Sequence, residues 1–234
     1  MAGDEGMSGT LYGVGVGPGD PELMTVKAWR LISTAKVVAY LAANGSDSTA
    51  RGIAAPFFSD DVREIAIDMP MRTERAPAQA AYDTGAAEIA THLARGEDVV
   101  MLCEGDPFFY GSFMYVHERL SAQFSCVVVP GVTSPVACAA VMGQPLCKRD
   151  DVLKVLPATL DADRLREELL TCQSAAIIKV GRHFAKVKNV LSALDLISRA
   201  TAVTKATQED EVIQPVDEIA DDALPYFTTI IVRT

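Results

Sequence analysis

The segment Asp98–Cys103 sets the tightest limit on the fold. One charge is followed by Val-Val-Met-Leu-Cys, with no polar residue among them. A strand of that kind puts apolar side chains on both faces, so both faces of its sheet have to be covered. The flanking chain supplies the cover. Leu11–Val16 and Val37–Leu41 read as further strands, with a helix from about Thr25 to Thr34 between them. Tyr82, Ala86, Ile89 and Leu93 recur at helical spacing, and Gly96 can close that helix. Cys126–Val129 is another short apolar run, ended by Pro130-Gly131. This alternation predicts an α/β fold with an open, mainly parallel sheet.

A dense charge cluster, Lys148 to Asp151, directly follows the apolar stretch Leu120–Cys147. Val152–Leu156, Ala175–Val180, Thr201–Thr204 and Tyr226–Val232 read as strands beyond it. Helices carrying Leu165 and Leu169, then Phe184, Val187, Leu191 and Leu194, fall between them. The organisation expected is a tail over 1–8, an α/β domain over 9–147, and a second α/β domain with a partly antiparallel sheet over 148–234. A length of 234 residues suits one large domain or two small ones.

Composition narrows the function classes. The chain is 49% hydrophobic and carries a formal charge of −10. It is expected to be well packed and a poor partner for nucleic-acid phosphates. The stretch Leu120–Cys147 has no charge, but Pro130, Gly131, Pro135, Gly143 and Pro145 interrupt it, so no membrane span is expected. The N-terminus lacks the basic and apolar regions of a signal peptide. Five cysteines, none in C-x-x-C spacing, read as buried free thiols of a reducing cytosol, and the protein as cytoplasmic. The three histidines are widely separated, and no metal centre is expected.

The chemistry is expected in the turns after the strands. Gly19-Asp20-Pro21 and Gly105-Asp106-Pro107 each follow an apolar run. Glycine permits the sharp turn, Asp can cap a helix, and Pro is tolerated at the first helical position. Two readings fit: ordinary strand-to-helix turns, or a ligand edge at the carboxyl ends of parallel strands. The run Gly13 to Asp20 fails the dinucleotide fingerprint, because the third glycine position falls on Pro18 or on Asp20. No Walker glycine-lysine pair occurs, and a dehydrogenase is disfavoured. Cys103 to Ser112 joins acids, three aromatics and glycines, a set suited to a ligand with positive charge. In PGVTS, Thr133 or Ser134 would cap a helix and also sit on the same edge.

GVGVGPGDPELMTVKA, CEGDPFFYGS and PGVTS, in that order, resemble the tetrapyrrole methyltransferases that use S-adenosylmethionine. The likeness runs over roughly residues 9 to 233. The segments LCEGDPFFYGSFMYVHERL, KRDDVLKVLPATL and IIKVGRHFAKV narrow it to the cobalamin-forming branch. The resemblance implies two α/β domains with a cofactor cleft between them, and a homodimer. It implies methyl transfer to carbon 20 of precorrin-2, releasing S-adenosylhomocysteine. Cobalt-precorrin-2, another precorrin carbon and uroporphyrinogen-III remain alternatives within the fold. A non-catalytic S-adenosylmethionine-binding module is the alternative of a different class.

By the same resemblance, Pro18, Glu104, Gly105, Asp106, Phe109, Thr133, Ser134, Val180 and Ala206 stand at cofactor contacts. Relatives often have methionine at the position of Val180 and glycine at those of Ala206 and Glu104. A base for the carbon proton would come from Glu104, Asp106, Tyr110 or His183. An acidic protein must meet a polycarboxylate substrate with local cations. The pool is Arg51, Arg72, Arg75, Lys148, Arg149, Arg182 and Lys186, of which Arg182, with His183, is the favoured pair.

Overall fold

The computed structural model describes residues 8–43, 48–70, 75–220 and 222–234. The tail expected over 1–8 lies outside them except for Ser8, as does Arg72. The chain divides into two compact units, Met1–Thr133 and Ser134–Thr234.

The first unit runs β1 (Thr10–Gly15), α1 (Val26–Thr34), β2 (Val37–Ala43), α2 (Thr49–Ala54), β3 (Arg63–Met69), α3 (Arg75–Leu93), β4 (Val99–Cys103), α4 (Phe113–Leu120) and β5 (Ser125–Val129). Its five strands lie in the order β3-β2-β4-β1-β5, and every pairing among the described residues is parallel. The apolar β4 is covered on both faces, as its composition requires. Val100 and Leu102 pack with Ala28 and Ile32 of α1 on one face. Val99, Met101 and Cys103 pack with Ile89 and Leu93 of α3 and Phe113 of α4 on the other. Full burial of a side chain of this size contributes about 1.5–3 kcal/mol. Thr25 starts α1 by accepting the Ala28 N–H at 3.1 Å.

The second unit runs α5 (Ser134–Val141), β6 (Leu153–Pro157), α6 (Ala162–Leu169), β7 (Ser174–Ile178), α7 (Phe184–Ala193), β8 (Ala200–Thr204), β9 (Val212–Pro215) and β10 (Thr228–Arg233). The strand order is β6-β7-β10-β8-β9. β6 pairs parallel to β7, while β10 runs antiparallel to both β7 and β8, and β9 antiparallel to β8. The sheet is mixed, as expected. Because β10 is reversed between β7 and β8, the residues just before Thr228 arrive at the carboxyl ends of both neighbours.

The structure adds β3, α2 and β9 to the elements read from the sequence, and it differs in other details. The last strand starts at Thr228, leaving Tyr226 and Phe227 outside it and exposed. α5 buries Ala137 and Cys138 against Ala176, Val203 and Ile231 of the second sheet, so the second unit opens at Ser134, ahead of the charge cluster at 148. Cys103, Cys138 and Cys172 are buried thiols, but Cys126 is half-buried and Cys147 exposed. No helix among the described residues is long and apolar enough to cross a membrane.

Candidate active site

In the first unit β1 and β4 are neighbours, yet α1 leaves toward one face of the sheet and α4 toward the other. Loops that diverge in this way open a crevice at the carboxyl ends of the strands, the usual ligand position in open α/β sheets. The residues found there are the glycine-rich turns singled out above.

The three turns touch backbone to backbone. Gly105 donates its N–H to the Gly17 carbonyl at 2.8 Å, and the Val16 N–H reaches the Cys103 carbonyl at 2.9 Å. A Cβ on Gly131 would stand 2.0 Å from the Gly105 carbonyl oxygen, so no larger residue fits there without moving the chain. Gly105 itself has φ of 63°, a left-handed conformation that glycine adopts without steric cost. A Cβ there would meet nothing closer than 3.7 Å.

Asp106 holds the β4 and β5 turns together. Its Oδ1 accepts the N–H groups of Phe108 at 2.9 Å and Phe109 at 3.1 Å, and its Oδ2 accepts the Gly131 N–H at 3.0 Å. The capping expected of the Gly-Asp-Pro turns is therefore real but more local than a helix start. Asp20 likewise caps only the single turn Pro21–Leu23, and α1 and α4 begin later, at Val26 and Phe113. With both oxygens engaged by backbone donors, Asp106 acts on the shape of the loop.

Glu104 accepts the Ala50 N–H of α2 at 3.2 Å. Its side chain is open to solvent, but protein atoms crowd it closely. This crowding raises the carboxyl above its ordinary range, against the lowering by its backbone hydrogen bonds. Phe109 is half-buried and packs edge-on to Tyr110 with ring centres 5.4 Å apart. Tyr110 is exposed and has φ of 56°, strained for a residue with a side chain. Pro18 and Thr133 are half-buried on the same edge of this unit.

In the second unit Ser134 opens α5 and accepts a hydrogen bond from the Thr229 hydroxyl at 3.3 Å. Val180 and Ala206 are buried, at 0% and 6% exposure, within the core of this unit. Their side chains are closed to a ligand, which leaves backbone contact at these positions. The turns that hold them are strained: Lys179, Lys205 and Thr207 all have positive φ, between 51° and 68°. His183 follows β7 in a single turn, its N–H bonded to the Val180 carbonyl at 2.7 Å. Burial first, then Lys186 and Arg182 nearby, hold its imidazole below the usual value.

The cation pool separates clearly. Arg51 is engaged by Glu64 through two hydrogen bonds of 2.5 and 2.9 Å. Lys186 donates to the carbonyls of Ala158, at 2.6 Å, and Leu160. Arg149, with φ of 44°, and Lys148 are both exposed in the same turn. Arg72 and the side chain of Arg75 lie outside the described residues. Arg182 is exposed and has no ion pair among the described residues.

The tetrapyrrole (corrin/porphyrin) methylase family model matches residues 10–220. The chain belongs to that family. It is 39% identical to the precorrin-2 C(20)-methyltransferase of a Sinorhizobium species over 96% of this chain and 95% of the relative. It is 42% identical to the cobalamin biosynthesis protein CobIJ of Mycobacterium tuberculosis over 94% of this chain, yet spans only 45% of that relative's length. Solved methylase structures share the fold. Cobalt precorrin-4 methyltransferase aligns with a TM-score of 0.73 at 23% identity, covering 96% of this chain and 94% of that one. The uroporphyrin-III C-methyl transferase of Thermus thermophilus, complexed with S-adenyl homocysteine, aligns at 0.68 and 23% identity, covering 96% and 97%.

Proposed function

We propose that this chain transfers the activated methyl group of S-adenosylmethionine to carbon 20 of precorrin-2, in cobalamin biosynthesis. The observation that carries the reading is the near end-to-end likeness to the Sinorhizobium methyltransferase, over a chain whose strand-edge turns are intact. The turns themselves fit such a donor: close-packed glycine backbone, aromatic cover from Phe109 and Tyr110, and the acid Glu104 for a cationic ligand.

When bound, S-adenosylmethionine supplies an electrophilic methyl on a sulfonium, so the protein needs no nucleophile of its own. Pro18, Gly105, Phe109, Thr133 and Ser134 hold the donor, with Val180 and Ala206 contributing backbone. Alignment of reactants to near-attack distance can supply up to roughly 7–11 kcal/mol in the best intramolecular models. Asp106 serves that alignment by locking the loop. Glu104 and His183 are the candidates to take the carbon proton: raising the Glu104 carboxyl makes its ionised form a stronger base, and lowering the His183 imidazole keeps the ring unprotonated and able to accept. Arg182 meets a substrate carboxylate. The protein acts in the cytoplasm as a homodimer, a state that sedimentation would test.

The functional test is incubation with S-adenosylmethionine and fresh precorrin-2, metal-free or cobalt-loaded, followed by mass spectrometry and carbon NMR. One methyl added at carbon 20 is expected. Methylation at another carbon, or of uroporphyrinogen-III alone, would overturn the reading.

A further inference from the structure

The second unit carries an exposed aromatic pair whose side chains have no part in the donor contacts proposed above. Tyr226 is 64% exposed and Phe227 37%, and their rings meet edge-to-face with centres 5.0 Å apart. Contiguous exposed apolar surface marks interaction and ligand-binding sites more often than isolated exposed side chains do. Their place in the fold is specific. The Phe227 carbonyl accepts the Lys205 N–H at 2.8 Å, which ties the pair to the turn after β8. On the other side, Leu224 donates to the Gly181 carbonyl at 3.2 Å and Asp222 accepts from the Ala185 N–H at 3.2 Å. The pair therefore stands between the Lys205–Thr207 turn and the Gly181–His183 turn, on the carboxyl edge of β7 and β8.

Arg182 belongs to the second of those turns. Leu224 and Tyr226 are two residues apart, about 7 Å of extended chain, which is within reach of an arginine side chain. An open aromatic surface with an exposed guanidinium on the adjoining turn suits one class of ligand: a flat, conjugated ring system whose margin carries carboxylates. We infer that Tyr226 and Phe227 form the face on which the tetrapyrrole macrocycle lies, with Arg182 taking a peripheral carboxylate. This rests on the methyltransferase reading for the identity of the macrocycle. These two residues hold the substrate and leave the donor untouched.

The experiment uses the whole chain and two probes, S-adenosylhomocysteine for the donor site and uroporphyrin for the macrocycle. Dissociation constants for both, and KM and kcat with precorrin-2, are measured for wild type, Tyr226→Ala, Phe227→Ala and Tyr226→Phe. Both alanine variants are expected to weaken uroporphyrin binding and raise the precorrin-2 KM by roughly tenfold. Tyr226→Phe keeps the ring and should stay within about twofold of wild type. Binding of S-adenosylhomocysteine should not change in any of them, and because both side chains are exposed, neither should the Tm. Unchanged uroporphyrin affinity in both alanine variants overturns the inference, as does a parallel loss of S-adenosylhomocysteine binding. A wild type that binds uroporphyrin through these rings but does not methylate precorrin-2 would support the aromatic face and sink the proposed function. A wild type that turns over precorrin-2 while both alanine variants keep its KM would do the reverse.

Discussion

The two units solve the same problem, shaping the carboxyl edge of a sheet, with different materials. In the first, Gly17 with φ of 81° and Gly105 with φ of 63° take left-handed turns, with Tyr110 at 56° further along the loop, and the loops press backbone against backbone. In the second, Lys179, Lys205 and Thr207 take them alongside Gly181 with φ of 32°, and a Cβ on Gly181 would find its nearest neighbour 3.9 Å away. One edge is a close-packed backbone surface with little room for change. The other is open and studded with side chains.

The comparison breaks most readily at matched glycines. Gly131→Ala would force a Cβ to within 2.0 Å of the Gly105 carbonyl oxygen, where the only relief is backbone movement. Overpacking of this kind costs about 1–3 kcal/mol and occasionally more, and the upper end is expected because both partners are main chain. Gly181→Ala, with φ of 32° and open space, should cost only about 1 kcal/mol. Urea unfolding of the two variants measures the contrast. Equal losses would mean that the first edge is no more tightly built than the second.

Asp106 gives the next largest effect, and separates loop shape from chemistry. Asp106→Ala leaves three backbone N–H groups without their acceptor, in part compensated by water because the site is half-buried. A loss of about 2–4 kcal/mol is expected, from about 1–3 per unsatisfied group. Asp106→Asn keeps one oxygen for Phe108 and Phe109 but turns an NH2 against the Gly131 N–H, so it should fall between wild type and Asp106→Ala. Thermal denaturation with S-adenosylhomocysteine titration reads both stability and binding. If Asp106→Asn matches wild type in both, the carboxylate is not what joins the β4 and β5 turns.

How far these edges could be read from sequence follows the same division. The first was legible in its architecture: apolar runs ending in Gly-Asp-Pro turns announce the parallel strands and their carboxyl ends. What escaped notice there was β3, Arg-Glu-Ile-Ala-Ile-Asp-Met, whose outward charges mask a strand at the sheet margin with Ile65 and Ile67 turned inward. The second edge was legible only in part. β7 and β8 were visible as apolar runs, but nothing local says that β10 inserts between them in reverse. That pairing is what delivers Tyr226 and Phe227 to the turn of Arg182, so the aromatic face was hidden inside an expected strand. The burial of Val180 and Ala206 was equally invisible, because likeness to relatives carries a position and not its exposure.

The smallest effects test the edges by their protons. Burial raises the carboxyl of Glu104 on the first edge and lowers the imidazole of His183 on the second, so each group is pushed toward its uncharged form. The stability consequences have opposite signs. A raised carboxyl holds its proton where the unfolded chain has lost it. Its contribution is complete below the ordinary glutamate value of about 4.3 and is lost as pH rises through the higher folded value. A lowered imidazole stays neutral where the unfolded chain is protonated, so its contribution is complete above about pH 6.5 and lost as pH falls through the lower folded value. Glu104→Gln should therefore gain on wild type in Tm as pH rises from the acid side, and His183→Asn should gain as pH falls below neutrality. Both shifts should be small, since each side chain retains contact with water. Tm profiles that run parallel to wild type in both variants would show that neither edge excludes enough water to discharge its titratable group. A gain for Glu104→Gln alone would confine that exclusion to the glycine-built edge.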